Sequence, residues 1–230
     1  MTPPPTFVLI PGAWHGAWCW QRLTPLLERH GARVIAPDLP SWAGDDSWAR
    51  FVADIVEQNE GCVLLGHSRA GALISRAAEL APDSIRMLVY LCAYLLPDGQ
   101  SVAEEARRDA DSLLVPNMVP VQRGLTCRIR DEALREAFYG ECSDEDFEFA
   151  RERLAPEPLR ALAAPVHVSA ERFGRVPRAY IETARDRAIT LAAQRRMQSA
   201  LPCAPVFTLD TDHSPFLSQP EALARILISI

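Results

Sequence analysis

Four stretches of the chain, FVLI (7–10), RVIAP (33–37), CVLLG (62–66) and MLVYLCAYL (87–95), are apolar almost throughout, and each runs into Gly or Pro. A strand with one wet face alternates apolar and polar residues, and these do not. They read as strands buried on both faces, which requires a parallel sheet covered by helices. Between them lie helical patterns at Trp18–Arg29, Trp48–Asn59 and Gly71–Leu80. Strand–helix alternation of this kind is an α/β core.

The alternation lapses from Pro97 to about Arg175, where the chain is charged, Pro-containing and mostly helix-like. It resumes with RAYIET (178–183), a helix from Ile189 to Ala200, PVFTLD (205–210) and a last helix after Pro220. The expected organisation is a core of residues 1–96 and 176–230 with an insertion at 97–175. The opening prolines read as a frayed tail.

The break after the third run is where chemistry is expected. VLLGHSRAGAL places Ser68 where a buried strand gives way to a helical pattern. This resembles the Gly-x-Ser-x-Gly elbow, which exposes a serine oxygen beside the amides of a helix N-terminus. Here the fifth position is Ala70, and the glycine, Gly71, comes one residue late. A serine hydroxyl needs a base and an orienting acid to become nucleophilic. Of the five histidines, His213 lies in DTDHSPF, directly after a predicted strand, where open α/β sheets carry their ligands. His15 and His67 adjoin the same region and read as packing or hydrogen-bonding residues. The chain order Ser–acid–His favours Asp186, in the loop after RAYIET, with Asp210 as the other candidate. Asp186 also reads as a plain helix N-terminal acid.

An oxyanion hole needs two backbone N–H groups on one point. PGAWHG after the first run has small residues able to approach a substrate oxygen, so the expected pair is the amides of Ala13 and Arg69. Gly12, Trp14 and Ser214 adjoin this site and are expected at the substrate. The Arg69 guanidinium either reaches into the pocket or turns outward to a surface carboxylate. In the insertion, Leu113, Leu114, Met118 and Phe138 are candidate pocket residues, and Val115, Tyr139, Phe147 and Phe149 share their character. Each of these also reads as simple packing of the insertion on the core.

Bulk properties exclude several classes. With 24 Lys plus Arg against 30 Asp plus Glu, the net charge of −6 gives no reason to expect nucleic acid or an anionic membrane. The six cysteines never fall as Cys-x-x-Cys, which argues against a zinc ribbon or redox pair, and no phosphate loop or metal-ligand cluster appears. No cofactor is expected. The N-terminus lacks a basic segment and a long apolar run, so a cytoplasmic protein is expected, with a small-molecule substrate; a homodimer is compatible with the sequence.

The joint pattern resembles the α/β-hydrolase branch of plant methyl esterases and hydroxynitrile lyases and its bacterial relatives. FVLIPGAWHGAWCW is similar to that branch's N-terminal signature, GHSRAG to its elbow, DTDHSPFLSQP to its histidine loop and VPRAYIETARDRAI to its acid-bearing segment. The resemblance implies an α/β-hydrolase fold with a mainly helical cap at 97–175, and it supports Asp186. It departs at Pro11, where histidine is usual, and at Ala70, where glycine is usual. The lyases resemble one another in a threonine at the position of Gly12 and a lysine at that of Ser214. Neither is present here, so hydrolysis of a small hydrophobic or aromatic ester is the expectation. The other readings are a lyase or cyclising enzyme on the same triad, and a ligand-binding protein without catalysis.

Overall fold

The structure, a computed structural model, describes residues 4–40 and 45–230. Residues 1–3 of the expected frayed tail lie outside the described residues. In chain order the elements are β1 (Thr6–Ile10), α1 (Thr24–Arg29), β2 (Arg33–Ile35), α2 (Asp45–Glu57), β3 (Cys62–His67), α3 (Ala70–Leu80) and β4 (Ile85–Leu91). Then follow α4 (Val102–Arg108), α5 (Leu114–Asn117), β5 (Met118–Val121), β6 (Thr126–Ile129), α6 (Asp131–Phe138), α7 (Asp144–Arg151), β7 (Glu157–Pro158) and α8 (Leu159–Ala163). The chain closes with β8 (Arg178–Thr183), α9 (Leu191–Ala200), β9 (Val206–Leu209), α10 (Pro215–Ser218) and α11 (Pro220–Ser229).

Six strands form one parallel sheet in the order β2-β1-β3-β4-β8-β9. Every residue of β3 is buried, as the unbroken apolar run requires. Helices flank the sheet, with α2 packed on α3 and α1 on α11. From β1 the chain steps out to β2 and then returns to β3 on the other side of β1. That reversal leaves a crevice beyond the C-terminal ends of β1 and β3, the position where α/β sheets bind ligands. The PGAWHG turn follows β1 and Ser68 follows β3, so the topology puts both at this crevice.

Three local expectations are revised. The helix read at Trp18–Arg29 is a 3-10 turn over Ala17–Gln21 followed by α1. Pro25, near the α1 N-terminus, has no amide to donate into a longer helix but suits a first turn. The run 87–95 stops pairing at Leu91 because Cys92 turns into left-handed backbone at φ 35°. The inserted segment holds five helices but also a three-stranded antiparallel sheet, β5-β6-β7. Its hairpin turns on left-handed Gln122, Arg123 and Gly124, two of which carry no turn signal in sequence.

The late glycine of the elbow has a steric cause. A Cβ on Gly71 would lie 2.5 Å from the Tyr94 carbonyl oxygen and 2.9 Å from its nitrogen, where the chain leaving β4 crosses the start of α3. A Cβ on Gly66 would meet the Ala70 carbonyl oxygen at 2.7 Å. Position 70 itself takes a methyl group and buries it completely. Gly71→Ala should therefore lower the unfolding free energy by about 1–3 kcal/mol, the range for overpacking a closed site. Gly140→Ala, where the nearest atom would be 4.0 Å away, should be close to neutral. Urea midpoints of the two variants measure the contrast.

Candidate active site

Ser68 sits between β3 and α3 with φ 55°, left-handed backbone that a serine rarely adopts. Bonds from the next strand hold it there. Its N–H donates to the Leu91 carbonyl at 3.2 Å, and its own carbonyl accepts from Gly71 and Tyr94, each at 3.0 Å.

Asp186 leaves the C-terminal end of β8 and His213 that of β9. His213 Nδ1–H donates to Asp186 Oδ2 at 2.7 Å, and both side chains are buried. Asp186 is otherwise saturated. Oδ1 accepts the backbone N–H groups of Ala188 and Ile189 at 2.8 Å each, and Oδ2 accepts the Thr183 hydroxyl at 2.9 Å. These bonds fix the carboxylate and, through it, the ring orientation. Nε2 of His213 is then the unprotonated nitrogen; it is buried and has no hydrogen-bond partner. No hydrogen bond yet joins Ser68 to His213, a contact that commonly tightens only with substrate. The histidine loop is nonetheless docked beside the elbow. His67, the residue before Ser68, donates Nε2–H to the His213 carbonyl at 2.9 Å, with the two rings 4.6 Å apart.

The other candidate acid is elsewhere. Asp210 is exposed and bidentate to Arg185, with contacts of 2.8 and 2.6 Å. Asp212 is buried and accepts the amides of Glu141 and Ser214, at 2.8 and 3.0 Å, so it secures the loop around His213. Burial pushes its carboxyl above the usual range.

Ala13 and Arg69 are buried, and among the described residues neither backbone N–H is bonded to an acceptor. Both residues border the same cavity as Ser68. Buried amides are nearly always paired, so two free ones beside one serine are a specific feature. The cavity measures about 340 Å³, and its wall is mainly apolar. Trp14, Leu114 and Met118 line it as the sequence suggested, together with Val115. The sequence reading missed Tyr94, Val102, Ala103, Ala106, Arg107, Leu159, Leu162 and Ala163. Most come from α4 and α8, whose small apolar residues carry no pocket signature.

Four expected substrate contacts do not line the cavity. Phe138 packs with its ring tilted against Trp14 and His213, at centroid distances of 5.7 and 5.6 Å. Leu113 binds the core through its N–H to the Arg187 carbonyl at 2.8 Å. Gly12 lies under the elbow, where a Cβ would meet His67 Nδ1 at 2.8 Å and Ser68 Cβ at 2.9 Å. Ser214 is fully buried behind His213. Tyr139, Phe147 and Phe149 also pack away from it. The Arg69 side chain is not turned outward to a surface carboxylate. It is buried against Glu157 of the inserted segment, 2.9 Å away, and lies over the Trp48 ring at 4.8 Å.

The family model described as Alpha/beta hydrolase family matches residues 7–226. The chain belongs to the alpha/beta hydrolase family. Among similar proteins, putative methylesterase 15, chloroplastic, of Arabidopsis thaliana is 31% identical over 97% of this chain, which spans 56% of that protein's length. A pyrethroid hydrolase of Sphingobium wenxiniae is 34% identical over 96% of this chain and 85% of its own. Among solved structures, polyneuridine aldehyde esterase superposes with a TM-score of 0.86 at 28% identity, covering 98% of both chains. A pyrethroid hydrolase of Sphingobium faniae gives 0.84 at 31% identity, covering 98% of this chain and 96% of that one.

In this alpha/beta hydrolase two histidines near the elbow, His15 and His67, resist protonation. His15 donates Nδ1–H to the Ala13 carbonyl at 2.8 Å and accepts from the Tyr139 hydroxyl at 2.7 Å. Burial pushes it down to about 4, against a weaker opposing pull from the Ala13 carbonyl. His67 is lowered too, by burial first and then by His213 and His15. His67, Cys92 and His213 bring metal-capable atoms within 4.8 Å of one another. His67 Nε2–H and the Cys92 thiol, however, both donate to the His213 carbonyl. Among the described residues, no helix is long and apolar enough to cross a membrane.

The depressed His15 has a pH signature. The unfolded chain takes up this proton near 6.5, whereas the folded one resists it down to about 4. Folding stability should therefore fall as pH drops through that window, by on the order of 2–3 kcal/mol for His15. His15→Gln should flatten the slope, read by urea unfolding between those two values.

Proposed function

We propose that the chain is a serine hydrolase of small apolar carboxylic esters, with Ser68 as nucleophile, His213 as general base and then acid, and Asp186 as the residue that orients it. The observation that carries this reading is the pair of unbonded buried amides, Ala13 and Arg69, beside a serine in strained backbone. Ser68 Oγ attacks the ester carbonyl while His213 Nε2 takes its proton. The carbonyl oxygen becomes an anion and draws on the two N–H groups, whose charge stabilisation is worth about 2.7–4 kcal/mol per donor. His213 returns the proton to the leaving alcohol, and water then opens the acyl-enzyme by the same steps in reverse. A cavity of about 340 Å³ with an apolar wall suits a small hydrophobic or aromatic group. The names of the similar proteins, a putative methylesterase and a pyrethroid hydrolase, support the same class. A cytoplasmic setting belongs to the same proposal.

Hydrolysis of p-nitrophenyl butyrate tests it. Ser68→Ala should abolish turnover, and Asp186→Asn should lower kcat by about 10³–10⁴-fold, as when the wrong tautomer is imposed. Asp210→Asn, altering only an exposed ion pair, should leave the rate unchanged. Equal rates for Ser68→Ala and the unmodified protein would overturn the reading.

Cyanohydrin cleavage is disfavoured by the same site. Ser214 supplies no cation, and position 12 has no space for a threonine side chain. Mandelonitrile should release cyanide no faster than in buffer. Gly12→Thr, with a Cβ pressed between His67 and Ser68, should cost ester hydrolysis without creating lyase activity.

A further inference from the structure

The two unbonded amides belong to segments far apart in the chain, each just beyond a strand end, for β1 and β3 are paired as far as Ile10 and Gly66. Trp14, next to Ala13, has φ 63°, a left-handed conformation costing about 1–3 kcal/mol for a bulky residue unless its surroundings enforce it. Among the described residues, its three polar ties all come from the inserted segment. Its N–H donates to Glu157 Oε2 at 3.2 Å, its carbonyl accepts from Ala155 at 2.9 Å, and its indole N–H donates to the Cys127 carbonyl at 3.0 Å. The other oxygen of Glu157 lies 2.9 Å from Arg69 Nε, off hydrogen-bond alignment, so this contact is chiefly Coulombic.

We propose that Glu157 is a positioning residue for the oxyanion hole, its carboxylate bridging the Ala13–Trp14 turn and the Ser68–Arg69 elbow. The inference rests on the hydrolase reading above. One rigid group thus touches both donor-bearing segments, each at the residue that carries or adjoins a donor. Stability alone gives little reason for such a pair, because apolar residues of similar volume often replace a buried ion pair without loss. Fixed geometry does give a reason, since displacement of a reacting group by 1 Å can cost about a hundredfold in rate. Burial raises the Glu157 carboxyl, opposed by Arg69 and the Trp14 N–H, so this carboxylate is held at some cost.

The test compares Glu157→Gln, Glu157→Leu and the double variant Arg69→Met/Glu157→Met on p-nitrophenyl butyrate. Rates are expressed per chain labelled by a fluorophosphonate at completion. Gln keeps an acceptor for the Trp14 N–H and loses the charge. Leu loses both and leaves Arg69 without its carboxylate, whereas the double variant removes the pair without leaving a buried charge and so keeps the test valid should Leu fail to fold. Expected is a fall in kcat in the order unmodified, Gln, Leu, with Leu and the double variant down about 10- to 100-fold. KM should move less than about threefold, the pattern of a contact felt in the transition state. Affinity for a trifluoromethyl ketone, which forms the tetrahedral anion, should fall in step with kcat. Wild-type kcat per labelled chain in the double variant would overturn the inference, leaving Glu157 as only a tie between insertion and core. An unmodified protein that neither hydrolyses the ester nor labels at Ser68 would instead overturn the hydrolase reading.

Discussion

Ser68 stays in left-handed backbone because three main-chain bonds, from Leu91, Tyr94 and Gly71, close around it. The neighbouring architecture follows from that constraint. The chain leaving β4 must pass close under the start of α3, which leaves no side chain at Gly71. It must also turn sharply after Leu91, and Cys92 takes the positive φ that this demands. Because β4 is the sheet neighbour of β3, the elbow is braced by the centre of the molecule rather than by a surface loop.

The electrostatics around the serine complement this bracing. A buried carboxylate is tolerated when its lone pairs are filled, and Asp186 meets that condition with two amides, a hydroxyl and a histidine N–H. Its bond to Nδ1 also fixes the orientation of the His213 ring. His15 and His67 carry no such partner and are driven neutral by burial. Of these three neighbouring histidines, His213 is the one whose ring is bonded to a carboxylate among the described residues.

Much of this was legible in the chain because each signal was local. Buried parallel strands betray themselves as unbroken apolar runs, and Ser68 follows one of them directly, while Asp186 and His213 lie in loops after the more mixed stretches RAYIET and PVFTLD. The loop to which each belongs was enough to prefer Asp186 to Asp210 as the partner of His213, and it is Asp186 that His213 bonds. The pocket wall was less legible. Leu113 and Phe138 have the same character as Leu114 and Met118, and only packing decides which face the cavity. Ala103, Ala106 and Ala163 line it because they are small, a property with no sequence signature. The path of Arg69 was hidden for another reason: its partner, Glu157, lies 88 positions away in a segment whose hairpin turns partly on Gln122 and Arg123, residues that carry no turn signal.

The ties of Trp14 bear on modularity. Inserted segments of this kind look like exchangeable lids, set on a core that carries the chemistry. Here Cys127, Ala155 and Glu157 of the insertion hold the peptide that follows Ala13. A chimera that took residues 97–175 from a relative would replace more than the pocket wall. It would also remove the supports of a strained turn in the core, so recipient and donor would have to agree at position 14 as well as at the graft boundaries.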